Sequence, residues 1–215
     1  QEKELAFLSG ALLFAVFLIL LILVTQFNAF SSPIIILSSV VLSLAGVFLG
    51  IVISRNDFVI IMTMIGIISL AGIVVNNAIV LVDYTNLIRK RKRAELELDE
   101  TTLISNEDFK ASVIEGGKTR LRPVLLTAIT TILGLFPLAS GLNINFFSLV
   151  SDWDPQIFFG GDNVIFFKPM SLAIIYGLTF ATFLTLVVVP IMYYSIYRFK
   201  IWLFKLCNWK TKIDL

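Results

Sequence analysis

The sequence has no histidine and only one cysteine, Cys207, among its 215 residues. The first absence removes the side chain that ordinarily titrates near neutral pH. The second forbids an internal disulfide and leaves no metal-ligand spacing. Charge is scarce as well: 15% of residues are charged and 58% are hydrophobic, where soluble domains carry about a quarter charged. No charged side chain lies between Glu4 and Arg55, and none from Phe58 to Val82. Such runs reach or exceed the ~20 apolar residues that cross a bilayer, so the chain is read as an integral membrane protein. No nucleophile–base pair or metal cluster stands out, so no enzyme activity, cofactor or metal is expected. No nucleic-acid partner is expected either. The chain starts at Gln1 without a signal-peptide pattern, and it is read as a segment of a longer protein.

The hydropathy pattern predicts an all-α, five-helix transmembrane bundle in one domain. Its helices are placed over 6–27, 33–54, 58–86, 123–141 and 169–197. Pro33 suits the first turn of the second helix. The loop 87–122, the loop 142–168 and the tail 198–215 connect or follow these spans. Of the 17 Lys and Arg residues, all but Lys3, Arg55 and Lys168 fall on the side of the 87–122 loop and the tail. That bias predicts an N-terminal end on the outer side of the membrane and a cytoplasmic C-terminus. The basic cluster Arg89–Arg93 is read as a topology determinant at the lipid headgroups.

Within the basic loop, Ser105-Asn-Glu-Asp108 reads as a capping box opening a short helix that stops at Gly116-Gly117. Phe109, Val113 and Glu115 suggest that this segment lies amphipathically at the membrane interface. The other loop holds Phe146, Phe147, Trp153, Phe158, Phe159, Phe166 and Phe167, which reads as an aromatic interfacial belt. Asp152, Asp154 and Asp162 lack the Gly and closing Glu of a calcium loop.

Polar and small residues recur within the spans. Gly66, Ser69, Gly72, Asn76 and Asp83 fall near one face of the third helix at 3.6 residues per turn. Thr127, Thr130, Thr131, Gly134 and Gly141 lie mostly on one side of the fourth. The second carries Ser39, Ser43, Gly46, Gly50 and Ser54. Small residues let helix backbones approach closely, so Gly46, Gly50, Gly66, Gly72 and Gly134 are helix-packing candidates. The adjacent amides Asn76 and Asn77 offer more donors and acceptors than packing demands. Intramembrane polar groups are functional-site candidates by default. Arg120 and Thr127 share a face if the fourth helix begins before Pro123. Pro137 and Pro190 should bend their helices.

These residues resemble the resistance–nodulation–cell division (RND) efflux transporters. Gly72-Ile-Val-Val-Asn-Asn-Ala-Ile-Val-Leu-Val-Asp83 is similar to that family's tenth helix. Thr119-Arg-Leu-Arg-Pro-Val-Leu-Leu-Thr127, with Gly134-Leu-Phe-Pro137-Leu, resembles its eleventh. Phe183-Leu-Thr-Leu-Val-Val-Val-Pro190-Ile-Met-Tyr-Tyr resembles the close of its twelfth, and Ser32-Pro-Ile-Ile-Ile-Leu-Ser39 with Gly46-x-x-x-Gly50 its ninth. The resemblance implies the last five of twelve helices, with two large periplasmic insertions upstream.

It also implies a proton-driven antiporter that exports small amphiphilic molecules. Such a protein works as a homotrimer with a periplasmic adaptor and an outer-membrane channel. In the family, a proton relay couples aspartates on the fourth helix to residues of the tenth and eleventh. By motif position that relay involves Asn76, Asn77, Arg120 and Thr127, with Asp83 a further candidate. Asn76 departs from the pattern, because the best-known drug exporters carry a lysine there. Two other readings remain: an RND-fold protein-export or lipid-transport auxiliary, and a membrane anchor or scaffold.

Overall fold

The computed structural model describes residues 2–27, 31–97, 104–144, 153 and 157–206. Helix α1 spans Glu2–Phe27, α2 Ser31–Ser54, α3 Ile60–Glu95, α4 Asn106–Ser140 and α5 Asp162–Leu206. All five contain a stretch long and apolar enough to cross a membrane. The chain is an all-α membrane bundle. A short antiparallel ribbon is its one addition among the described residues: β1 (Leu142–Ile144) pairs with β2 (Ile157–Phe159), Asn143 opposite Phe158.

The helices run past the predicted spans. α3 continues through the basic cluster to Glu95, because Lys and Arg are good helix formers once the helix has left the hydrocarbon. α5 begins at Asp162, before Pro169, and carries that proline internally. The short helix expected to stop at Gly116-Gly117 is instead the first third of a continuous α4. Ser105 is its N-cap, accepting from the Glu107 N–H at 3.3 Å. The true stop is Gly141, in the left-handed region at φ 80°, whose N–H bonds the Pro137 carbonyl.

Gly116 serves contact rather than termination. A Cβ there would sit 2.7 Å from Thr85 Oγ1, so its absence lets α4 approach α3. The apolar side chains of the predicted interfacial segment, Phe109 and Val113, are buried within the bundle. Phe109 is 1% exposed and stacks on Tyr197 with ring centroids 3.6 Å apart, and on Tyr193 at 5.5 Å. Stacked aromatic pairs are worth about 0.5–1.5 kcal/mol beyond the area they bury.

α5 is the hub, packing on α2, α3 and α4, while α3 also meets α2 and α4. Close approach depends on glycine. A Cβ at Gly46 would overlap Phe180, one at Gly50 would overlap Tyr176, and one at Gly66 would meet the Met170 carbonyl at 2.8 Å. Gly177, which the sequence patterns did not single out, is closed in by Leu70 and Val47. Gly72 and Gly134 meet nothing within 4 Å among the described residues. α1 touches α2 and α3 but buries only Leu23, leaving its apolar surface outward.

Of the aromatic loop, Trp153, Phe158, Phe159, Phe166 and Phe167 are exposed, as a membrane-facing belt requires. Phe146, Phe147, Asp152, Asp154 and Cys207 lie outside the described residues.

Candidate functional site

The site candidates gather where α3 and α4 run side by side. A helix turns 100° per residue, so adjacent positions point to different sides. Asn76 and Asn77 therefore part company. Asn77 is buried, on the face that packs against the bundle, whereas Asn76 is exposed. Ser69, Gly72 and Asp83 share the exposed face with Asn76. Gly66, predicted to belong to that stripe, is turned into the contact with α5.

Across the helix pair, Thr127 Oγ1 donates to Asn77 Oδ1 at 3.3 Å and to the Val124 carbonyl of its own helix at 2.9 Å. One hydroxyl proton serves two acceptors, and the inter-helix contact is the longer. A hydroxyl can donate or accept, and an amide offers both an oxygen and an NH2. The pair can therefore reverse its hydrogen bond without moving a net charge. Thr130 and Gly134 extend α4's exposed side beyond Thr127, and each threonine hydroxyl there bonds a carbonyl one turn back.

Arg120 is on the same side of α4 as Thr127, because α4 is helical from Asn106 onward. Its guanidinium carbon lies 4.3 Å from the centroid of the Tyr84 ring, within cation–π range. Arg120 Nε is buried and has no hydrogen-bond partner among the described residues. Tyr84 directly follows Asp83, which is exposed. The contact between Arg120 and Tyr84 was not legible beforehand, because nothing in either local sequence reports the register between two helices.

The structure thus joins Asn77 to Thr127 and sets Arg120 on Tyr84. It leaves Asn76 exposed, and Asp83, exposed as well, lines a cavity at the basic end of the bundle. Among the described residues no cluster of three or more potential metal ligands occurs. A neutral, hydroxyl–amide face with one carboxylate and one arginine at its end can rearrange hydrogen bonds.

The AcrB/AcrD/AcrF family model matches residues 1–143, or 143 of the 215 residues. The chain is 36% identical over 190 residues to the swarming motility protein SwrC of Bacillus subtilis (strain 168), covering 88% of this chain and 15% of that protein. Against the multidrug resistance protein MdtC of Erwinia tasmaniensis it is 26% identical over 182 residues, 85% of this chain and 15% of the relative. Against the cobalt-zinc-cadmium resistance protein CzcA of Cupriavidus metallidurans it is 25% identical over 184 residues, 86% and 14% of the two chains. A crystal structure of a heavy-metal efflux pump superposes with a TM-score of 0.65 at 24% identity, covering 91% of this chain and 16% of the pump. At that identity the likeness concerns the fold.

Proposed function

This chain belongs to the AcrB/AcrD/AcrF family of RND efflux transporters, and on that premise we propose that it is the coupling part of a proton-driven exporter of small amphiphilic molecules. The observation that carries the reading is the inter-helix contact of Thr127 with Asn77. Beside it the exposed polar stripe of α3 holds Asn76 and Asp83.

Amides and hydroxyls inside a bilayer are retained where they have partners. Ser69, Asn76 and Asp83 find no side-chain partner among the described residues, and in this reading the partner is another helix of the complete transporter. Protonation of carboxylates on that helix removes their charge and changes what they accept from Asn76, Asn77 and Thr127. The Thr127–Asn77 pair then exchanges one hydrogen-bond arrangement for the other, and α4 shifts against α3. Because Asn76 is an amide, its response is a rearranged hydrogen bond rather than a swinging charge. Arg120, held on Tyr84, ends the polar path at the basic end of the bundle.

In the same reading the basic end is cytoplasmic and the N-terminal end periplasmic, in the bacterial inner membrane. The working unit is a homotrimer joined to a periplasmic adaptor and an outer-membrane channel. The chain spans about 15% of the length of these relatives, so the activity belongs to the complete polypeptide.

The test is efflux of a fluorescent amphiphile from cells carrying the Asn77→Ala, Thr127→Ala double variant at matched membrane expression. Loss of efflux is expected. Wild-type efflux rejects the coupling role.

A further inference from the structure

A second polar feature lies away from the α3–α4 contact, at the basic end of the bundle. A cavity of about 400 Å³ opens there, lined by residues of all five helices. Among the described residues its charged lining consists of Arg89, Lys90 and Arg93 with one carboxylate, Asp83. Ser31 and Ser32, in the first turn of α2, form another part of the wall. A helix start carries N–H groups without intrahelical partners and a partial positive charge, both of which favour an anion. Phe27, Ile35 and Ile196 add apolar side chains to the lining.

Arg89 is the informative residue. Its Nε is buried and has no hydrogen-bond partner among the described residues. A buried guanidinium nitrogen left unmatched in a native fold calls for an explanation, and an anion is one. The neighbouring polar groups do not supply it. Tyr193 gives its hydroxyl proton to Asn86 Oδ1, and Tyr197 gives its own to the Ile104 carbonyl at 2.7 Å. The guanidinium instead stands 6.0 Å from the Tyr193 ring centroid, which orients the group without using its N–H donors.

We infer that this cavity binds a phosphate group, with the Arg89 guanidinium as a two-pronged donor and Lys90 as the second cation. Guanidinium groups match phosphate oxygens in a bidentate manner. A basic pocket between transmembrane helices suits a phospholipid, whose glycerol and acyl portion would meet the apolar side chains of the lining. The same donors also suit free phosphate. The inference is independent of the export reading, since it needs only a membrane-embedded bundle.

The experiment uses the full-length protein, delipidated in detergent, titrated with dihexanoyl phosphatidylglycerol and separately with inorganic phosphate. Arg89→Gln with Lys90→Gln should weaken binding by at least about tenfold. The control Arg91→Gln with Lys110→Gln removes the same charge from exposed positions outside the cavity and should leave binding unchanged. Arg89→Lys keeps the charge and loses the fork, so a partial loss is expected even where the glutamine pair does not fold. Binding of the lipid without competition by inorganic phosphate identifies a phospholipid site, and competition identifies a site for free phosphate. No saturable binding of either probe, or equal losses in the cavity and control pairs, overturns the inference.

Discussion

Gly116 and Gly117 are neighbours in one helix, yet alanine should affect them in opposite directions. A Cβ at Gly116 would lie 2.7 Å from Thr85 Oγ1 and 3.4 Å from Thr85 Cα. The hydroxyl cannot swing aside freely, because it is bonded to the Leu81 carbonyl at 2.8 Å. Overpacking of this kind costs about 1–3 kcal/mol. Replacing a mid-helix glycine by alanine returns up to about 1 kcal/mol. Gly116→Ala should therefore destabilise by up to about 2 kcal/mol.

Gly117 meets nothing within 4 Å, so Gly117→Ala should stabilise by up to about 1 kcal/mol. Thr85→Ala removes the obstructing oxygen, and in that background Gly116→Ala should become nearly neutral. The two substitutions should then couple by up to about 2 kcal/mol in a double-mutant cycle. The assay is reversible unfolding in mixed micelles with increasing dodecyl sulfate. Two results would refute the reasoning. One is destabilisation by Gly117→Ala of about 1 kcal/mol or more, which would mean a helix broken at the pair. The other is additivity of Gly116→Ala with Thr85→Ala.

Phe109→Ala should cost about 3–5 kcal/mol in the same assay, because the ring is buried between Tyr193 and Tyr197. Val113→Ala, on the same face, should cost less. Tyr84→Phe keeps the ring beneath Arg120 and should leave efflux unchanged, whereas Tyr84→Leu should reduce it at constant expression. The Asn77–Thr127 contact should itself add little stability. At 3.3 Å, and shared with Val124, it should couple by about 0.6 kcal/mol or less in a double-mutant cycle. A large efflux defect with so small a stability change separates coupling from packing.

The five spans were legible because gaps in charge mark where hydrocarbon must be. The same signal is silent beyond the membrane, which is why α3 and α4 outrun their predicted limits. Arg89–Arg93 and 106–122 are helical through propensity and tertiary contact rather than hydropathy. Gly116-Gly117 looked like a stop because glycine ends helices and also lets them touch, and only the neighbour Thr85 distinguishes the two uses. The ribbon of β1 and β2 has three residues per strand, too few for a period of two to register. The motif residues Asn77 and Thr127 could be named in advance, and the structure adds their hydrogen bond. Tyr84 could not, because its role exists only in the register of α3 against α4.

Proton movement tests the central claim most directly. The complete protein would be reconstituted in vesicles with a pH-sensitive dye inside, and a transmembrane pH gradient would be discharged by adding an exported amphiphile. The account predicts substrate-dependent proton flux in the wild type and its loss in Asn77→Ala, Thr127→Ala, with the variant still folded and inserted. Undiminished substrate-dependent flux in that variant would contradict it.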